Sequence, residues 1–69
     1  YDAMYLSLIN AYIKKGDLDA AEEVGNIFRS KINNDMSWQD ASCYKTLKKV
    51  FKENNRDFSA LKSEYDYRD

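Results

Sequence analysis

The chain has 69 residues, of which 33% are charged, and its formal net charge is −1. This balance disfavours strong generic attraction to nucleic acid, which needs an excess of basic residues. One Cys and no His exclude an internal disulfide and a Cys/His zinc site. The sequence lacks Pro, has Gly only at positions 16 and 25, and therefore lacks the turn residues of an all-β domain. We predict an all-α protein.

The first predicted helix covers residues 3–15, with Asp2 as its N-cap. Its apolar residues form two adjacent rows with a spacing of four, which predicts a broad buried stripe. The rows are Met4, Leu8 and Tyr12, and Tyr5, Ile9 and Ile13. Gly16 follows, where a residue with positive φ commonly ends a helix.

The second predicted helix begins after Asp17, which is its expected N-cap. The Gly16-Asp17 link is so short that the two helices must be antiparallel neighbours. The apolar row of this helix is Leu18, Ala21, Val24 and Phe28, extended by Ile27 and Ile32. Gly25 lies in mid-helix, where Gly costs about 1 kcal/mol relative to Ala. Two explanations stay open, a neutral surface position or the close approach of a neighbouring helix.

Turn-forming residues at positions 33–35 separate this hairpin from the rest of the chain. Ser37 and Asp40 resemble a capping box. Trp38 behind the cap is expected to pack in the core, and the alternative is that it stacks on a ligand. The third predicted helix covers residues 38–53. The residues expected on its buried face are Ala41, Tyr44, Leu47, Val50 and Phe51. The pair Asn54-Asn55 is expected to end it, because Asn is second to Gly in adopting positive φ.

Asp57 is the expected N-cap of a fourth helix, in which Phe58, Leu61 and Tyr65 form the apolar row. A shift of 39 residues places the first helix on the third, with buried positions on buried positions. The paired residues are Tyr5 and Tyr44, Leu8 and Leu47, Tyr12 and Phe51, and Gly16 and Asn55. A period of this size, made of helical hairpins, is typical of an α-solenoid. The alternative is that any two amphipathic hairpins align equally well.

The run YLSLINAYIKKGDLDAA, residues 5–21, resembles the first two-thirds of a pentatricopeptide repeat. The residues that match the family's pattern are Tyr5, Leu8, Ile9, Lys14, Gly16, Leu18 and Ala21. The second copy keeps Tyr44 and Leu47 but has lost the Gly, and the family's usual Gly and Pro between repeats are missing. Tetratricopeptide repeats share the fold and are the second resemblance.

Pentatricopeptide proteins mostly work in mitochondria and plastids and bind single-stranded RNA along the first helices of their repeats. In that family, the residue after the repeat's Tyr and the last residue before the next repeat read a base. The resemblance places these roles on Leu6 and Lys45, and on Asp40 at the end of the first repeat. Leu6 has no hydrogen-bonding group. We therefore expect no base readout by the first repeat, whereas Lys45 can meet a phosphate.

Lys45, Lys48, Lys49 and Lys52 share one face of the third helix because their spacing is i, i+3, i+4 and i+7. This stripe has two interpretations: a solvated helix face, or a surface that contacts a phosphate backbone or an acidic protein. Catalysis finds no support, since the sequence has no His and no Gly-rich phosphate loop. We predict that the chain is not an enzyme and uses no cofactor, metal or small-molecule substrate.

The predicted fold is all-α: two stacked antiparallel helix-turn-helix hairpins that form a fragment of an α-solenoid. Residues 1–69 are one helical-repeat unit, with repeat one at 2–32, a connection at 33–37 and repeat two at 38–66. Because the first residue is not Met, we expect a piece of a longer protein. No apolar run suits membrane insertion.

The predicted function is binding, as part of a pentatricopeptide-like mitochondrial protein in RNA metabolism or translation. The partner is single-stranded RNA or another protein subunit. The alternative is a protein-interaction scaffold of the tetratricopeptide type.

Overall fold

Four α-helices occur in the part of the chain that the computed structural model describes, residues 2–66. They are α1 (Asp2–Lys15), α2 (Leu18–Lys31), α3 (Asp35–Asp40) and α4 (Ser42–Glu53). No strand is present within this range, so the all-α prediction is confirmed. Helices α1 and α2 pack as a hairpin across the two-residue link, and α4 packs against both of them.

Helices α1 and α4 end in the same backbone motif. Gly16 has φ of +79° and Asn55 has φ of +54°, as the sequence predicted for the two helix ends. At the end of α1, Gly16 N–H donates to Ile13 O (2.9 Å) and Asp17 N–H donates to Tyr12 O (2.9 Å). At the end of α4, Asn55 N–H donates to Lys52 O (3.1 Å) and Arg56 N–H donates to Phe51 O (2.8 Å). Both sets are Schellman motifs. Each atom pair of the second motif lies 39 residues after its counterpart, so the internal likeness extends to backbone geometry.

Helix α2 begins as predicted, and its apolar row packs as predicted except for Ile27, which is 45% exposed. The Asp17 carboxylate accepts a hydrogen bond from the Ala20 N–H (3.1 Å), which makes Asp17 the N-cap. Gly25 is buried, and a Cβ atom at this position would lie 2.6 Å from Leu47 Cδ1. Close approach of a neighbouring helix, here α4, is therefore the correct explanation for Gly25, and the neutral surface position is wrong.

The third predicted helix is broken into α3 and α4 at Ala41, whose ψ of 142° is extended. Asn34, not Ser37, is the N-cap of α3, because the Asn34 side chain accepts from the Met36 N–H (2.8 Å). In one continuous helix, residues six positions apart point roughly 120° away from each other. The break lets both Trp38 and Tyr44 enter the core, where their ring centroids lie 5.2 Å apart.

Asp2 does not cap its own helix, and that prediction is wrong. Its carboxylate lies at the N-terminus of α4, where it accepts from the Ser42 N–H (3.3 Å) and from Cys43 Sγ (3.1 Å). Helix α4 has no side-chain cap from its own N-cap residue, Ala41. Burial alone would raise the pKa of Asp2, but the hydrogen bonds from Cys43 and Ser42 lower it below its ordinary value. The N-terminus of α4 is thus capped from α1.

The predicted fourth helix does not form. Residues 56–66 are irregular and cross the core as a segment that we call the C-terminal segment. The Asp57 carboxylate accepts from the backbone N–H (3.0 Å) and the hydroxyl (2.6 Å) of Ser59, which is an Asx turn and not a helix cap. The Leu61 carbonyl accepts from Trp38 Nε1 (2.7 Å), and Leu61 itself is fully buried.

The core lies between the α1–α2 hairpin, α4 and the C-terminal segment. Its buried hydrophobic residues are Ile9, Ala21, Phe28, Trp38, Cys43, Tyr44, Leu47, Phe51 and Leu61. Of the two rows predicted on α1, the row of Tyr5, Ile9 and Ile13 packs into this core. Met4 and Leu8 in the other row are 59% and 47% exposed, so the predicted breadth of the stripe is wrong. The uncovered face of α1 carries no charged side chain between Ala3 and Ala11.

The packing of Gly25 against Leu47 predicts the effect of a Gly25→Val substitution. The new side chain overlaps Leu47, and we expect the free energy of unfolding to fall by about 1–3 kcal/mol in urea titrations. Asn26→Val is the matched control, because Asn26 is exposed on the same helix and should change stability by less than about 0.5 kcal/mol. In a double-mutant cycle, Leu47→Ala should relieve part of the Gly25→Val cost. Identical unfolding curves for the parent and Gly25→Val would contradict the contact.

Candidate anion-binding surface

Helix α4 is amphipathic: one face packs into the core and the opposite face is basic. Its buried residues are Cys43, Tyr44, Leu47 and Phe51. The opposite face carries Lys45, Lys48, Lys49 and Lys52, which we call the lysine face. Lys45, Lys49 and Lys52 are exposed and Lys48 is half-buried. The spacing that the sequence predicted therefore holds, and the apolar face fixes the direction of the lysines.

A groove of about 440 Å³ runs beside the lysine face. Its lining residues are Gln39, Asp40, Tyr44, Asp66 and the four lysines. The structure thus brings together five of the six residues that the sequence singled out, since Asp40 at the end of α3 lines the same groove. Leu6 is the exception. It is half-buried, packs against the core and lines neither this groove nor the next.

A second groove of about 330 Å³ adjoins the first, and Lys48 and Lys52 line both. The C-terminal segment supplies the remaining lining residues, which are Arg56, Asp57, Phe58, Ser59 and Lys62. We call the lysine face together with Arg56 and Lys62 the basic surface. It concentrates positive charge on one side of a chain whose net charge is −1.

Several cations of the basic surface have carboxylate partners. Lys48 pairs with Asp66, and Arg56 pairs with Asp19 and with Glu22 (3.4 Å). Among residues 2–66, no carboxylate lies within ion-pairing distance of Lys45 or Lys49. These two lysines therefore keep their charge directed to solvent, where a bound anion can reach it.

Tyr44 and Asp66 form the inner wall of the first groove. Tyr44 Oη donates to Asp66 Oδ2 (2.6 Å) and accepts from the Ser63 N–H (3.2 Å). Burial of the phenol and its hydrogen bond to the Asp66 carboxylate raise the pKa of Tyr44 to about 12. Asp66 is only 5% exposed, so its negative charge is enclosed between the phenol and Lys48.

Asp35 holds the C-terminal segment against α2 and α3. Its carboxylate accepts from Ser63 Oγ (2.7 Å) and the Glu64 N–H (2.8 Å), and pairs with Arg29 (2.9 Å). The hydrogen bond from Ser63 is the main reason why the pKa of Asp35 is below its usual value. This attachment holds Ser63 and Glu64, which lie in the chain between Lys62 of the second groove and Asp66 of the first.

Arg56, Phe58 and Lys62 line the second groove but were not among the predicted site residues. The sequence pattern could have indicated Arg56, because Arg56 lies four residues after Lys52 and so continues the lysine spacing past the end of α4. Phe58 and Lys62 were assigned to a helix that does not form. Their place in the second groove follows from the irregular path of the C-terminal segment, for which the sequence contains no local signal.

The potential metal ligands among residues 2–66 are dispersed, and the one thiol in this range lies inside the core. No group of three or more potential ligands for a metal ion occurs within residues 2–66. Cys43 is buried, and desolvation, with the Asp2 carboxylate beside it, raises its pKa to about 12. A thiol with such a pKa is protonated at neutral pH and is a poor nucleophile.

Comparison of the chain with protein-family models, with curated proteins and with solved structures gave no match. None of the helices between residues 2 and 66 has the length and apolar character that crossing a membrane requires.

The Tyr44–Asp66 hydrogen bond predicts a pH-dependent effect of Tyr44→Phe. The raised pKa means that the phenol stabilises the fold fully below pH 10, and that this contribution disappears as the pH rises to about 12. We expect Tyr44→Phe to lower the free energy of unfolding by about 1.5–3 kcal/mol near neutral pH. The difference from the parent should shrink across the alkaline window in urea titrations.

Tyr65→Phe is the matched control, because Tyr65 is 48% exposed and loss of its hydroxyl should change the free energy of unfolding by less than about 0.5 kcal/mol. A stability difference between Tyr44→Phe and the parent that does not change with pH would contradict the assigned bond.

Proposed function

We propose that the chain is a non-catalytic binding module, and that its basic surface contacts the sugar-phosphate backbone of single-stranded RNA. The observation that supports this most directly is the placement of the lysine face, Arg56 and Lys62 along two adjoining grooves. Three carboxylates, those of Asp40, Asp57 and Asp66, also line the grooves, but the cations outnumber them. Clefts in which one sign of charge predominates concentrate ligands of the opposite charge. The basic surface covers only one side of the chain, so it is compatible with a net charge near zero for the chain as a whole.

The proposed contact is with phosphates and not with base edges. Leu6 packs against the core and lines neither groove, and it has no group that could bond a base. Lysine ammonium groups act as point charges that suit phosphate oxygens. Backbone contacts position a strand but carry no sequence information. Binding should therefore be sensitive to salt and tolerant of sequence.

A helical-repeat context for this module has two supports. The Schellman motifs of α1 and α4 occur 39 residues apart, at the positions that the repeat alignment pairs. The face of α1 with Met4 and Leu8 is apolar and uncovered, and we propose that a neighbouring repeat of the solenoid packs there. The resemblance of residues 5–21 to a pentatricopeptide repeat extends the proposal to a mitochondrial protein of RNA metabolism or translation.

A second candidate function is a protein-interaction scaffold of the tetratricopeptide type. The near-zero net charge and the exposed Met4 and Leu8 favour it, since apolar patches on a helix commonly contact another protein. In this case the basic surface would contact an acidic segment of the partner subunit.

Titration with a fluorescently labelled single-stranded RNA at two salt concentrations tests the proposal. The double variant Lys45→Gln/Lys49→Gln removes the two lysines that have no carboxylate partner among the described residues. We expect weaker binding at low salt, and a slope of log K against log salt that is smaller by about 1.4, because each lost phosphate contact contributes about 0.7 for single strands. Fluorescence anisotropy measures both quantities.

Lys14→Gln/Lys15→Gln is the matched control, because it removes the same charge from exposed positions at the end of α1. It should leave the slope unchanged. Absence of RNA binding by the parent at low salt would overturn the RNA proposal. Binding of an acidic peptide under the same conditions would then favour the scaffold.

A further inference from the structure

We infer that Phe58 is a stacking surface for one base of the bound strand, at the second groove. This inference deepens the proposed function and rests on it. The strand's phosphates would lie on the basic residues of that groove, while one base lies flat against the Phe58 ring. Such a site takes a single-stranded nucleic acid of any sequence, since every base has a π face.

Phe58 is held by the core but is not enclosed by it. Its ring centroid lies 5.4 Å from that of Tyr44 and 5.5 Å from that of Phe51, with interplanar angles of 58° and 80°. Phe58 is half-buried, and the rest of it lines the second groove. Two ring neighbours fix its orientation before any ligand arrives. Binding then costs little further loss of side-chain freedom.

Four cations line the same groove as this ring: Lys48, Lys52, Arg56 and Lys62. Of these, Lys48 pairs with Asp66, and Arg56 pairs with Asp19 and Glu22. The alternation of an aromatic ring with basic side chains is the arrangement that sequence-tolerant single-strand binding proteins use. The one carboxylate from the C-terminal segment in this groove is that of Asp57, and its Oδ1 accepts both the N–H and the hydroxyl of Ser59.

The groove suits an extended chain better than a folded partner. Its volume of about 330 Å³ is at the small end of the range for ligand pockets. It continues into the first groove through the shared Lys48 and Lys52. A strand with one base on Phe58 can therefore extend its backbone toward Lys45 and Lys49. An acidic peptide would use the same cations but would gain nothing specific from the ring.

The test compares a single-stranded oligoadenylate with an abasic oligonucleotide of the same length and the same number of phosphates. The Phe58→Leu variant keeps an apolar side chain but loses the π face. We expect its affinity for oligoadenylate to fall about tenfold, within the range measured for loss of one stacked base. Its affinity for the abasic strand should stay within twofold of the parent, and Phe58→Tyr should bind both strands as the parent does.

Phe58→Trp provides a second measurement that does not depend on the folding of Phe58→Leu. Its indole fluorescence should be quenched by oligoadenylate and unaffected by the abasic strand, while Trp38, which is fully buried, gives a constant background. Equal affinity of the parent for the two strands, together with unquenched fluorescence, would overturn the stacking inference and leave the backbone contact intact. Failure of the parent to bind either strand would overturn both.

Discussion

The structure depends on the burial of one side chain, Trp38. Its indole is fully buried, donates Nε1–H to the Leu61 carbonyl (2.7 Å), and makes edge contacts with the rings of Phe28 and Tyr44. The Arg29 guanidinium lies 5.9 Å from the centre of its ring. One residue thereby joins α2, α3, α4 and the C-terminal segment, in a chain too small for a second core.

The basic surface is a consequence of the same packing. Tyr44 contacts Trp38 on one side and Phe58 on the other, and its hydroxyl binds Asp66 and Ser63. The C-terminal segment is therefore held at both its Leu61 carbonyl and its end. This segment supplies Asp66 to the first groove and five residues to the second, so the shape of both grooves depends on the packing of the aromatic core.

Features set by local geometry could be predicted from the sequence, and features set by tertiary contacts could not. The helix ends at Gly16 and Asn55 and the cap at Asp17 need only short-range backbone bonds, and the lysine face follows from helical periodicity. The segment after Asp57 has helical spacing too. There, Trp38 Nε1–H donates to the Leu61 carbonyl, and the Asp35 carboxylate accepts from the Glu64 N–H. In a helix, this carbonyl and this N–H would have bonded to other backbone groups of the same helix. Hydrogen bonds to side chains that are distant in sequence therefore outweighed the local helix propensity of this segment.

The cap of α4 is supplied by Asp2, 40 positions earlier in the chain. Nothing local therefore protects the first amide groups of α4 before α1 is in place. The α1–α2 hairpin can assemble from near neighbours in sequence, whereas docking of α4 must close a long loop. The cap of α4 can therefore form only where α1 and α4 are packed together, and the direction of the lysines relative to the core depends on that same packing.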